Sequence, residues 1–299
     1  MRRLTAIVLG AAAGGGYPQW NCRCPVCRLA WDGDSRVKPR TQASLAVSAD
    51  NERWVLVNAA PDLRAQLAAT PALRPTGDVR GSPIAAVVLT GAEIDQIAGL
   101  LHLRERTPFS LHATQETLAL LAANPVFDAL GADVVTRRAV ARDTPFAVAG
   151  LAIELFAAPG KVPLYLERGE PQDGDDSVNT GAEFVVDGRR LVFVPGAAAL
   201  TPALQERLAR ADVVMFDGTL FTDDEMIRAG AGAKTGRRMG HMPIDGAGGS
   251  LEALARLSGR RIYIHINNTN PILIADSPER RRVEAAGIEI AEDGMEVTL

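Results

Sequence analysis

All three cysteines of the chain, Cys22, Cys24 and Cys27, fall within WNCRCPVCRLAW. A C-x-C-x-x-C run lets three sulfurs converge on one point, and Zn²⁺ accepts thiolates in tetrahedral geometry. A disulfide framework would need an even number of cysteines spread along the chain, so structural zinc is the simpler account. A redox pair Cys24-x-x-Cys27, or inert thiols, are the alternatives. The fourth ligand has no local candidate and must come from elsewhere in the fold or from another subunit.

Four histidines are present. His102 and His112 lie in or beside apolar runs, where packing or plain exposure accounts for them. His265 closes the run IYIH and is followed by Asn267, Asn268 and Asn270. Polar side chains gathered at a strand end mark the lip of a site. His241 follows a glycine-rich loop, and Asp217 ends the apolar run VVMFD. Turn formation by Asp217, Gly218 and Thr219 is the alternative there. In VVLTGAEIDQIAGLL, Glu93 and Asp95 stand where a strand gives way to a helix. That is a common place to hold a cation, and helix capping explains the same carboxylates.

These residues must be held by elements that the apolar pattern outlines. Strand-like runs recur at residues 4–9, 45–47, 54–57, 85–89, 109–112, 151–156, 184–186, 191–194, 213–216 and 261–266. Each is short and bounded by Gly, Pro, Asn or Asp. Helical candidates alternate with them: one from Pro61, then residues 115–122, 202–209, 251–257 and 278–286. Asp187-Gly188 between two strand runs reads as a hairpin turn. Hairpins mixed with strand–helix units predict mixed sheets covered by helices. Two polar, glycine-rich stretches, from Glu167 and from Ile227, read as lids or substrate loops of one domain, with plain disorder as the alternative.

With 47% hydrophobic and 23% charged residues the composition is that of a globular protein. A net charge of −4 with dispersed basic residues gives no footprint for nucleic acid. No apolar run approaches membrane-spanning length. The start MRRLTAIVLGAAAGGG loosely imitates a signal peptide, but its apolar run is only a strand's length, which predicts a cytoplasmic protein. LGAAAGGGYPQW lacks the G-x-G-x-x-G order of a dinucleotide loop.

Taken together, GAAAGGGYPQWNCRCPVC, DSRVKPRTQASLAVS, MFDGTLF, KTGRRMGHMPI and HINNTNPIL resemble the pyrroloquinoline quinone (PQQ) biosynthesis protein B family. That family is a distant branch of the metallo-β-lactamase superfamily. The resemblance covers essentially the whole chain. It implies one α/β domain, residues 1–299, built as an αββα four-layer sandwich with a zinc-binding insertion near residues 20–30. The metal site is expected at the edge between the two sheets. Where the superfamily carries H-x-H-x-D-H, this chain has Gly91, Glu93, Asp95 and Gln96. Lys161 stands at the histidine of the superfamily's P-G-H. Asp217 matches a late acidic position, and His265 the last metal histidine. His241 resembles a histidine that assists phosphodiester chemistry in related tRNA-processing nucleases.

The active-site metal set so implied is Glu93, Asp95, Gln96 and His265. Together with Asp217 it is oxygen-rich and suits Fe²⁺ or another weakly held divalent ion better than tight Zn²⁺. The family's assigned role implies iron-dependent hydroxylation of the tyrosine ring in a Glu–Tyr PQQ precursor. His241, Asp217 and Lys161 would be catalytic, and Arg237, Arg238, Asn267 and Asn268 would bind substrate. Non-catalytic binding or transport of PQQ or its precursor, and residual hydrolysis, are the alternatives. The partners expected are the precursor or PQQ, other PQQ-pathway proteins, and a second copy of the chain docked through the aromatics of WNCRCPVCRLAW.

Overall fold

Short apolar runs become strands in the computed structural model, which describes residues 2–77, 79–167 and 179–299. Most of the loop expected from Glu167, residues 168–178, lies outside the described residues. The first sheet holds β1 (Thr5–Gly10), β2 (Ser44–Ser48), β3 (Trp54–Val57), β4 (Ile84–Val88), β5 (Phe109–Ala113) and β6 (Val135–Ala139). The second holds β7 (Phe146–Val148), β8 (Leu151–Ala157), β9 (Thr180–Val186), β10 (Arg189–Val194), β11 (Val213–Asp217), β12 (Arg260–Ile264) and β13 (Glu289–Ile290). A last strand, β14 (Glu296–Thr298), returns to the first sheet beside β1.

Both sheets are mixed. β1, β2 and β3 pair antiparallel and β3 through β6 parallel. β7 through β10 are antiparallel and β10 through β13 parallel. The β9–β10 hairpin turns at Asp187 and Gly188, both with positive φ (47° and 83°), the combination that matches strand twist in a two-residue turn.

Helices α1 (Pro25–Trp31), α2 (Leu63–Ala69), α3 (Ile94–Ile97) and α4 (Gln115–Ala122) precede the second sheet. Helices α5 (Pro202–Ala209), α6 (Glu225–Arg228), α7 (Leu251–Ala255) and α8 (Pro278–Ala285) follow within or after it. α5 and α8 start as their sequences dictate: Thr201 and Ser277 cap the amides of Leu204 and Arg280, and a proline occupies the first turn.

β2, β3 and β11 are buried along their whole length because each sheet packs on both faces. Val8, Leu45, Val57 and Val88 meet Leu155, Phe184, Phe193 and Met215 between the sheets. On the outer face of the first sheet Leu56 and Leu111 pack with Leu63 of α2 and Leu121 of α4. Leu204, Leu254 and Val283 of α5, α7 and α8 cover Val192, Phe216 and Tyr263 of the second. Each such fully buried side chain contributes roughly 1.5–3 kcal/mol. The result is the four-layer αββα sandwich. Among the described residues no helix is long and apolar enough to cross a membrane.

Four strands escape the sequence pattern, β6, β7, β13 and β14, which are short and lie at sheet edges, and so do the short helices α1 and α6. β12 also ends earlier than its apolar run suggests. His265 takes a left-handed φ of 58°, which breaks the extended backbone at Ile264.

Candidate active site and cysteine metal centre

Strand ends bring the polar residues together. Asp217 terminates β11, His265 directly follows β12, and Asp95 lies in the first turn of α3, just beyond β4. The loop from β4 is fixed by Thr90, whose amide donates to Asn58 Oδ1 and whose carbonyl accepts from the Thr180 amide and hydroxyl. Thr90 therefore ties the ends of β3 and β4 to β9 of the opposite sheet. The β1 exit passes alongside: the Ile266 amide donates to Ala11 O, and the Ala13 amide to Ile266 O. A cavity of about 460 Å³ opens at this edge of the sandwich, lined by Asp95, Lys161, Lys234, His241, His265 and Asn267 among others.

Asp217 is fully buried and each of its oxygens is occupied. Oδ2 accepts from the Ala197 amide (2.9 Å) and faces His241 Nδ1 at 2.7 Å. Oδ1 accepts from the Thr219 amide and hydroxyl (3.0 and 2.6 Å). The Thr219 hydroxyl also lies 2.9 Å from His265 Nδ1, and His265 Nε2 lies 2.9 Å from Asp95 Oδ2. The two imidazoles stack with centroids 5.3 Å apart. Burial alone would raise the pKa of Asp95. The hydrogen bond and charge of His265, with the charge of His241, outweigh it and hold the carboxyl below its usual range. Asp217 is lowered against its burial by His241 in the same way. Burial would lower the pKa of His265, but Asp95, Asp217 and Glu93 raise it above the ordinary value. The two ionised carboxylates are the groups a cation would pair with, and His265 would have to give up its proton to become a ligand.

One ligand atom each of Asp217, His241 and His265 lies within 4.8 Å of the others, with Asp95 on the far side of His265. Two imidazoles and two carboxylates, with Asp217 and His265 at strand ends, Asp95 on α3 and His241 in the loop after α6, fit a divalent ion that takes nitrogen and oxygen ligands. The walls carry two lysines, both ion-paired. Glu167 accepts from both Lys161 and Lys234 (the latter at 3.0 Å), and Lys161 lies 3.7 Å from Glu93. Gly240, with φ 83°, lets the chain turn into His241 where a β-carbon would sit 3.0 Å from Lys161 Cγ.

Cys22, Cys24 and Cys27 converge as their spacing demands. The Cys24 amide points at Cys22 Sγ and the Cys27 amide at Cys24 Sγ, both at 3.4 Å. Burial pushes the Cys24 thiol up to about 12 and raises Cys27 as well. Buried thiols of this kind ionise once a dication sits among them, so the donor set fits zinc.

The family model for the beta-lactamase superfamily domain matches residues 53–266. A coenzyme PQQ synthesis protein B of Methylobacterium sp. (strain 4-46) is 58% identical over 299 residues, covering 99% of this chain and all of that protein. The chain belongs to the coenzyme PQQ synthesis protein B family. The crystal structure of zinc-bound PqqB from Methylobacterium extorquens, 52% identical, superposes with a TM-score of 0.96 over 99% of this chain and 100% of that one. A diphosphatase of the PhnP family, at 20% identity and a TM-score of 0.72 over 100% of this chain and 98% of that one, shares the fold.

In this member of the family, several expected site residues make other contacts than a metal or a substrate. Gln96 lines the cavity, but its Oε1 accepts from the Glu93 amide while Glu93 caps the same helix turn. This reciprocal cap turns the Gln96 amide toward its own backbone. Glu93 borders the cavity but faces Lys161 and the Leu164 amide, not the imidazoles. Burial raises its pKa, with Asp95 adding to that and Lys161 opposing it. Arg237 donates to the carbonyls of Ala247 and Gly248, and the exposed Arg238 does not line the cavity either. Asn268 lies against the cysteine sulfurs instead of the cavity. Asn267 does line it, as do Lys161, His241 and His265. Lys234 and Thr90 were not foreseen. The only signal for Lys234 is that it is the sole cation in AGAGAKTG, and Thr90 carries none.

Proposed function

We propose that this chain acts in making the PQQ cofactor, as an iron-dependent hydroxylase of the tyrosine ring in the Glu–Tyr precursor. The observation that carries the reading is the Asp95–His265–Thr219–Asp217–His241 cluster beside a cavity whose walls carry two lysines. Its relatives' name, coenzyme PQQ synthesis protein B, supports the pathway. Asp95, Asp217, His241 and His265 would hold the metal, and Zn²⁺ would sit among the three cysteines. When bound, ferrous iron supplies the dioxygen chemistry that ring hydroxylation requires.

The protein's own residues do the rest. Lys161 and Lys234 already grip one carboxylate, that of Glu167, and would engage the carboxylates of a diacidic peptide in its place. Leu164, Pro195 and Met239 give the ring an apolar wall. His241 commits Nδ1 to Asp217, which leaves Nε2 as the nitrogen it could offer to the metal. Asn267 adds a polar side chain to the lining.

A carrier of PQQ or its precursor is the second reading. The turning of Gln96 into a helix cap favours it, because a site that binds without reacting tolerates a missing imidazole. The aromatic residues around the cysteines, Trp20 and Trp31, are exposed, and there we place a homodimer contact. Anaerobic titration with Fe²⁺, followed by a single turnover with a Glu–Tyr dipeptide under O₂, separates the two readings. Hydroxylated product that disappears in His265→Ala is expected. Stoichiometric iron with unchanged peptide sinks the hydroxylase.

A further inference from the structure

A buried acid reaches the cavity through two side chains. Glu225, at the start of α6, is 5% exposed, and its two oxygens face different donors. Oε2 accepts from the Phe221 amide at 2.7 Å, and Oε1 from the Thr269 hydroxyl at 2.6 Å. Thr269 Oγ1 in turn lies 2.6 Å from Asn267 Nδ2. Asn267 lines the cavity, whereas Glu225 and Thr269 stand behind it.

The direction of these bonds fixes which end of the Asn267 amide the cavity meets. A backbone N–H only donates, so Glu225 Oε2 is an acceptor. The Thr269 hydroxyl has one proton, and it goes to Glu225 Oε1, because Met226 Sδ is a weak acceptor at 3.6 Å. Thr269 Oγ1 is then an acceptor toward Asn267, which must present Nδ2 to it. Met226 Sδ, 3.1 Å from the same nitrogen, has no proton to give and selects the same orientation. An asparagine amide is ordinarily ambiguous by a half-turn, but here its neighbours decide it. Oδ1 is the end left open to the cavity, and among the described residues no donor engages it.

An open acceptor in a cavity is completed by a donor on whatever binds there. The negative charge of Glu225, passed through two aligned hydrogen bonds, polarises this carbonyl and favours a cationic donor. The precursor named above is built from amino acids, and its ammonium groups are such donors. We propose that Asn267 Oδ1 receives a substrate ammonium group, and that Glu225 and Thr269 are positioning residues that hold this carbonyl toward the cavity. The contact rests on the amino-acid substrate of the preceding reading, and the test separates the two.

Ligand-observed NMR on the full-length protein, under nitrogen so that turnover plays no part, compares L-tyrosine with 3-(4-hydroxyphenyl)propanoate. The second ligand lacks only the ammonium group. The titrations are run at about pH 8, where Glu225, raised by burial to about 7, is ionised. The parent protein is expected to prefer tyrosine by about 10- to 100-fold. Asn267→Leu should lose the preference, and Asn267→Asp, an acceptor at either end, should keep it. In Glu225→Gln the side-chain oxygen must still accept from the Phe221 amide, so the nitrogen donates to Thr269. The Thr269 proton then turns to Asn267, whose amide flips and offers Nδ2 to the cavity. Preference for tyrosine should fall to the Asn267→Leu level while affinity for the propanoate stays that of the parent protein, a separation that a merely structural loss does not give. An unchanged preference in Glu225→Gln overturns the positioning role, and an unchanged preference in Asn267→Leu overturns the ammonium contact. Equal binding of both ligands by the parent protein overturns that contact as well. A parent protein that binds neither ligand overturns the amino-acid substrate itself and the contact with it.

Discussion

At the scale of single residues, Gln96 offers the sharpest test of the proposed metal site. Its neighbour Asp95 faces His265 at 2.9 Å, whereas Gln96 is spent on capping the turn that Glu93 begins. Gln96→His is expected to tighten Fe²⁺ binding about tenfold by adding an imidazole to the cavity wall. Losing the reciprocal cap should cost about 1 kcal/mol of stability. Anaerobic Fe²⁺ titration and chemical denaturation measure the two effects, and unchanged iron affinity would place position 96 outside the metal's reach. The residue types of this stretch were legible in the sequence, and so was the alternative of capping. Which way each side chain turned was not. The competing partners, Lys161 for Glu93 and Thr90 for Gln96, are respectively 68 and 6 residues away and meet them only in the fold.

At the scale of elements, α6 and the segment after β12 are joined through a buried acid. Glu225 Oε1 accepts from the Thr269 hydroxyl and Oε2 from the Phe221 amide, while Asn267 donates to the same Thr269 hydroxyl. This chain of bonds reaches the cavity wall at Asn267. Burial raises the Glu225 carboxyl to about 7 from an ordinary 4.5. Because the folded state holds this proton more tightly than the unfolded chain, the stabilisation is fully present below about pH 4.5. It falls away as pH rises through about 7 and stays lost above. The shift corresponds to roughly 3 kcal/mol. Glu225→Gln should therefore remove this fall, and the variant should gain on the parent protein between pH 5 and pH 8. Urea unfolding at the two pH values tests it, and parallel stability curves for both proteins would refute the assignment. The long buried strands and the capped helices α4, α5 and α8 were readable from their sequences, because local pattern and tertiary burial agree there. The edge strands β6, β7, β13 and β14 were not. They have too few apolar residues for a period, and their pairing partners supply the order.

At the scale of the whole molecule, Trp20 stands 83% exposed and Trp31 52% exposed beside the cysteine group. Replacing both with serine should convert a dimer to a monomer without loss of zinc, read by sedimentation and metal content. A wild-type chain that sediments as a monomer at micromolar concentration removes the contact. The sequence by itself determined the mixed-sheet class, the clustering of the three cysteines and the placing of His265 and Asp217 at strand ends. Those features depend on spacing and on alternation of apolar residues, which are local. Only the tertiary structure decided that Asp95 meets His265 across 170 residues, that Lys234 shares a carboxylate with Lys161, and that Asn268 belongs to the cysteines. Hydrogen bonds act over about 3 Å whatever the separation along the chain, so the sandwich edge selects their partners once both sheets have packed.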